Sequence, residues 1–176
     1  MTGKIHVTIG VGTLALISIK TFGNGFDFFG TTVYPVVGML TAAAGSYAPD
    51  IDMQRTHAGQ KHKVASKVIS KVGGGHRGIM HTLLMPACLV TLMYIVGEYI
   101  DGILANGLMS LIFGFAYGYI MHLFADMFNG KGIPLFWPLM RGKVHIMDID
   151  SSGWQAWTFC IVFLAIAGFI IFSSNI

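Results

Sequence analysis

The stretch Gly118-Tyr119-Ile120-Met121-His122-Leu123-Phe124-Ala125-Asp126 decides how this chain is read. It closes an uncharged, mostly apolar run that begins at Gly102. Residues four apart share a helix face, so His122 and Asp126 stand together. They arrive where a spanning helix of about 20 residues would leave a bilayer. An ionisable pair there is costly unless it pairs, binds a metal or lines a wet cavity.

Composition points the same way. Of 176 residues, 54% are hydrophobic and only 11% charged, with a mean hydropathy of +0.68. Soluble domains are about a quarter charged, so an ordinary soluble domain is excluded and an integral membrane protein is expected. Charge-free stretches run 5–19, 28–49, 78–97, 102–125 and 151–176. The last four are long enough to span, and the first becomes so if Lys20 snorkels from a helix end. The expected fold is an all-α, polytopic membrane bundle forming a single domain, 1–176. It has about five transmembrane helices, at 5–22, 31–48, 79–98, 103–126 and 154–172. A signal peptide competes for the first span, but no small-residue cleavage site precedes Phe26. Cys88 and Cys160 fall inside spans and indicate neither a disulfide framework nor a zinc knuckle.

Charge placement sets the orientation. With alternating spans, one side receives Lys4 and the loops 50–77 and 127–150. Ten of the 11 basic residues lie there, and only Lys20 falls on the other side. Basic residues near span ends stay cytoplasmic, so the N-terminus is expected inside and the C-terminus outside. The net charge of +3 sits on loops flanking spans, where it meets anionic headgroups. No basic patch is interleaved with aromatics, so nucleic acid is not an expected partner.

Smaller features fill in the plan. Gly10 and Gly12 in the first span, and the small-residue run 41–46 in the second, suit close helix packing. Segment 64–72 has an apolar face opposite lysines and fits an anionic surface. The apolar core of 129–139 is too short to cross, and with two prolines and Trp137 it reads as a re-entrant or interfacial loop. The fifth span has no ionisable residue and reads as an anchor.

The topology then gathers ligands. Odd spans begin and even spans end on the cytoplasmic side. That brings His6, Asp50, Asp52, His76, His81, His122 and Asp126 to one membrane face. Imidazole mixed with carboxylate suits zinc first, with Mn or Fe as alternatives. Seven ligands exceed what one catalytic ion needs, so two or more ions are expected. His76 and His81 are five apart and share no face of a continuous helix, so His76 must precede the helix if both converge. Arg77 has the fork to clamp two phosphate oxygens, against the plain reading of a positive-inside charge. His57, His62, His145, Asp148 and Asp150 lie in loops on this face. His145 and Asp148 join the site only if their loop folds back.

These motifs resemble those of the YdjM-type bacterial inner-membrane metal-dependent hydrolases. The resemblance rests on Ala48-Pro49-Asp50-Ile51-Asp52, on His76-Arg77-Gly78 with His81-Thr82, on Gly118 with His122 and Asp126, and on Gly132-Ile133 and Trp137-Pro138. It covers the chain from His6 to about Pro138, with Thr82 where the family commonly has serine. It implies a helical metal-dependent hydrolase, distantly similar to zinc-dependent phospholipase C, acting on a phosphoester. The expected activity is cleavage of an ester or phosphodiester of a lipid or lipid-linked substrate at the cytoplasmic leaflet. Arg77 would steady phosphoryl charge and Asp52 would take the proton. The competing function is a metal-ion or proton carrier using the same residues. It is disfavoured because the outer halves of the spans offer little beyond Ser18, Thr91 and Asn106.

Overall fold

The structure is a computed structural model and describes residues 2–21, 24–52, 60, 64, 66–67, 78–140, 142–150 and 153–174. The described residues form five α-helices: α1 (Gly3–Lys20), α2 (Pro35–Tyr47), α3 (Leu84–Tyr99), α4 (Gly102–Met127) and α5 (Trp154–Ser173). By length and composition, α4 and α5 can each cross a membrane, and α3 is apolar but shorter. The segment 64–72 lies largely outside the described residues.

Helix α4 is the axis. It packs against α1, α2 and α3, while α5 leans on α1. The tightest seam joins α2 to α4, and it is made of missing side chains. A Cβ on Gly114 would fall on the Gly38 carbonyl, one on Gly45 on the Phe115 carbonyl, and one on Gly118 on the Ala42 carbonyl. At such range the backbones themselves are in van der Waals contact, which is how helices associate where lipid offers no hydrophobic drive. Thr41 Oγ1 donates to the Leu111 carbonyl across the seam at 2.6 Å. Helix α1 joins at Gly10, where an added Cβ would meet Ser46 Oγ of α2 and then Gly118 Cα of α4. The small-residue run 41–46 was legible as a packing surface, and it is one.

Three apolar clusters complete the interior. Ile5, Ile9, Ala125, Ala156 and Cys160 join α1, α4 and α5. Ala48, Tyr119, Leu123 and Ile133 close the end of α4 where the ligands lie. Val33, Met93, Val96, Met109 and Ala116 fill the other end.

Two expectations are corrected. The fold is mostly helical as expected, but the stretch predicted as a second span, 31–48, is entered through a β-hairpin, β1 (Phe26–Phe28) paired antiparallel with β2 (Thr31–Val33). Gly30 adopts a left-handed φ of 72° at its turn, Thr31-Thr32-Val33 is β-branched, and Pro35 keeps Tyr34 extended. Pro35 becomes the first helical residue, where its missing N–H is harmless. Asn106 and Ser110, one turn apart on α4, take the N–H groups of Thr32 and Tyr34 at 3.0 and 2.9 Å.

The third span, predicted at 79–98, starts at Leu84, and Ile79–His81 is a separate 3-10 turn. Pro86 explains the break, because a helix reaching back to Thr82 would drive the proline ring into that residue's carbonyl. Helices α1, α4 and α5 begin and end within two residues of the stretches expected at 5–22, 103–126 and 154–172.

The seam makes a signed prediction. Gly118→Leu should destabilise the bundle by about 3 kcal/mol or more through overpacking against backbone. Gly107→Ala, which meets nothing within 4 Å, should be neutral or stabilising by about 0.5–1 kcal/mol. Thermal unfolding of the detergent-solubilised variants measures both.

Candidate metal centre

One turn beyond the Gly10–Ser46–Gly118 node, each helix delivers a ligand. His6 precedes Gly10 by four residues, Asp50 follows Ser46 by four, and His122 follows Gly118 by four. Asp126 comes one turn later on α4. Asp50 lies in the 3-10 turn Ala48–Asp52 that continues α2. His81 arrives on the 3-10 turn Ile79–His81, which frees it from the geometry of α3.

Five of the seven predicted ligands converge. His6 Nε2 lies 3.3 Å from Asp126 Oδ1, and His81 Nε2 lies 3.7 Å from Asp126 Oδ2. His122 Nε2 is 3.9 Å from both Asp126 Oδ2 and Asp50 Oδ1. The His6 and His122 rings stack with centroids 3.8 Å apart, and His81 meets His122 edge-on at 5.5 Å. His6, His81, His122 and Asp126 are at most 2% exposed. Asp50 is the most accessible of the five, its side chain 13% exposed. Burial pushes the Asp50 carboxyl above the ordinary carboxylate range, with the charge of His6 opposing.

These dimensions fit a metal better than a hydrogen-bonded cluster. The three separations from His122 and His81 are 3.7–3.9 Å, beyond hydrogen-bond range. Donors about 2.0–2.2 Å from a tetrahedral ion stand roughly 3.3–3.6 Å apart. His122 Nε2 and His6 Nδ1 are buried without a hydrogen-bond partner. Buried polar atoms are rarely left so, and an ion supplies what they lack. His122 Nδ1 lies 2.7 Å from the Ser46 carbonyl oxygen. That contact orients the ring and is typical support for a metal-ligating histidine.

Of the remaining predicted residues, His76, Arg77, His57 and His62 lie outside the described residues, as does the Asp52 side chain. The loop 127–150 does fold back: Ile133 pairs with Val144, and Ile146 N–H donates to the Met127 carbonyl. His145 and Asp148 nevertheless stay exposed on it, and neither belongs to the ligand groups among the described residues.

Sequence reasoning missed two supports. Tyr119, fully buried on the His122 face of α4, donates its hydroxyl to the Met80 carbonyl, pinning the turn that carries His81. Ser46 was counted only as a small residue. Helical spacing signalled both, since Tyr119 precedes His122 by three and Ser46 precedes Asp50 by four.

Together these features define a class: a helical membrane protein with a buried His/Asp cluster at one end of its bundle. The chain belongs to the YdjM inner membrane protein family, whose match covers residues 1–175. It is 32% identical over 139 residues to the uncharacterized protein YvsG of Bacillus subtilis, covering 78% of this chain and 74% of that one. It is 37% identical over 90 residues to the inner membrane protein YdjM of Escherichia coli and to that of Shigella flexneri. Those two alignments cover 51% of this chain and 43% of each relative, less than half their length. No solved structure matches.

Tyr119→Phe tests the pin. Removing the hydroxyl takes the donor from the buried Met80 carbonyl and should cost about 1–3 kcal/mol. Unfolding of the variant, with far-UV circular dichroism to check helix content, measures it.

Proposed function

We propose that this protein is a membrane-embedded metal-dependent hydrolase acting on an ester or phosphodiester of a lipid or lipid-linked substrate at the cytoplasmic leaflet. The observation that carries the reading is a buried His/Asp cluster at the bundle end where tryptophans gather. Trp137, Trp154 and Trp157 are the chain's only three tryptophans, and each is at least 43% exposed. Trp137 lies in the loop tied to Leu83 by the Leu135 carbonyl, and the other two flank Ala156, which packs against Ile5 and Ala125. Exposed tryptophan marks headgroup depth, which is where an ester or phosphodiester of a lipid lies.

The five-span topology belongs to the same proposal. Starts of α1, α3 and α5 and ends of α2 and α4 meet at the cluster, as alternating spans require. Helix α2, of 13 residues, is about 20 Å long, and β2 adds about 10 Å of extended chain. Together they reach the roughly 30 Å of a hydrocarbon core. The basic loops put the cluster on the cytoplasmic side, with the N-terminus inside and the C-terminus outside.

His6, Asp50, His81, His122 and Asp126 hold the metal, zinc first and Mn or Fe as alternatives. A divalent transition ion held there supplies Lewis acidity and makes water acidic enough to ionise near neutral pH. Arg77 steadies charge developing on the phosphoryl group, and Asp52 accepts the proton. The carrier reading is the weaker one. Asn106 is engaged by the hairpin and Thr91 bonds back to Ala87, so two of the three polar groups named for the outer halves are already in use.

Protein purified gently in detergent should contain a transition metal and release headgroup from lipid vesicles. A chelator should abolish release, and Arg77→Ala should lower kcat by about 10²–10³-fold. Wild-type protein without transition metal defeats the proposal, as does metal flux into proteoliposomes without hydrolysis. Because ligating histidines must be neutral, metal affinity should fall as the pH is lowered, read by titrating the metal at several pH values.

A further inference from the structure

Residues 134–143 form a loop closed at its base. Ile133 and Val144 exchange both backbone hydrogen bonds, at 3.0 and 2.8 Å, and Ile133 is buried in the apolar cluster of Tyr119 and Leu123. Beyond the loop, the Ile146 and Ile149 N–H groups donate to the Met127 and Phe128 carbonyls. Ile149 also packs against the cluster that holds Ala156 of α5. The base is therefore fixed between the end of α4 and the start of α5.

The side chains on this loop and its return strand face outward. Phe136, Trp137, Leu139, Met140, Ile146 and Met147 are all exposed, Leu139 by 91%. A single exposed apolar residue needs no explanation, but a group on one short segment marks an interaction surface. Position names the partner. The segment joins α4 to α5, the two helices long and apolar enough to cross a membrane, so it lies where both reach the membrane surface. Trp154 and Trp157, at the start of α5, are exposed at the same end. Charge agrees with a lipid partner. From Asn129 to Met147 the sequence carries Lys131, Arg141 and Lys143 and no acidic residue. Lys131 and Lys143 are exposed, and basic groups beside a span are drawn to anionic headgroups. Asp148 and Asp150 follow only after the return. The backbone sets the depth: residues 135–139 are turns, not helix. Non-helical chain facing lipid is not tolerated within the hydrocarbon.

We infer that loop 134–143 is a membrane anchor, seating Trp137, Leu139 and Met140 in the headgroup layer beside the cluster, with Lys131 and Lys143 against anionic lipid. Of the two forms expected from the sequence, re-entrant and interfacial, this is the interfacial one. The inference rests on α4 and α5 crossing the membrane, and it holds with or without metal or hydrolysis at the cluster.

Depth-resolved fluorescence tests it. The full chain with Trp154→Phe and Trp157→Phe keeps Trp137 as its one tryptophan. It is placed in nanodiscs, which leave both membrane faces open to acrylamide. Their lipid is equal parts phosphatidylglycerol and phosphatidylcholine, the latter brominated near the headgroup end or near the methyl end of its chains. Trp137 should emit to the blue of water-exposed tryptophan, lose most of its emission to the shallow bromines and resist acrylamide. Lys131→Glu with Lys143→Glu should weaken the shallow quenching, and unchanged quenching overturns the anionic contact. If the background with two phenylalanines does not fold, the difference between wild type and Trp137→Phe alone reports the same residue. Trp137 open to acrylamide overturns the anchor. So does Trp137 shielded from acrylamide and bromine alike, as contact with protein would leave it, or quenched best by deep bromines. A reference separates the causes of failure: Ile166→Trp, with all three native tryptophans replaced by phenylalanine. Ile166 lies about 18 Å along α5 from Trp154, and deep bromines should quench it most. With that result, a wet Trp137 overturns only the anchor. An Ile166→Trp open to acrylamide overturns the membrane placement of α5 as well.

Discussion

The structure depends on three backbones approaching at Gly10, Ser46 and Gly118. A Cβ added at Gly10 would meet Ser46 Oγ of α2 and the Gly118 backbone of α4 before any larger side chain. Ser46 Oγ spans the gap to the Gly118 carbonyl at 3.3 Å. In a bilayer, burying apolar side chains gains little, because lipid tails are as apolar as the protein interior. Close packing and interhelical hydrogen bonds must hold the helices instead. The node supplies both. It also fixes the spacing of everything one turn further on.

That turn holds the ligands. Three imidazoles and two carboxylates, nearly all buried, could not sit in an apolar bundle without strong mutual compensation. The helices gain their rigidity from the node, so the ligands are placed by packing rather than by their attraction for one another. The 3-10 turn of His81 is the exception. It is held by the Tyr119 hydroxyl on one side and by the Leu83–Leu135 backbone bond on the other. Loop 127–150 thereby helps to position a ligand it does not itself supply.

Much of this was legible in the sequence, and the reasons are specific. The i,i+4 spacing of His122 and Asp126 fixed their common face, and alternation of spans predicted that His6, Asp50 and His81 would join them. The small-residue run 41–46 announced the seam. The hairpin was not legible from hydropathy, because Thr31-Thr32-Val33 is as charge-free as a helix. Gly30 and Pro35 were the clues, and Pro35 was read as lying within a span that began just after Gly30. Pro86 likewise marked the break before α3, and passing over it made His81 look awkwardly spaced.

The hairpin has one more consequence. It occupies the depth of the first two turns of α4, with its amides satisfied by Asn106 and Ser110 and its apolar side chains packed on Met93, Val96 and Met109. The bundle is thus stoppered at that end and polar only at the other, a blind well rather than a passage. A group at the bottom of such a well equilibrates with one compartment alone. The acidity and the free-ion supply it experiences belong to the side it opens on, whatever gradient the membrane maintains.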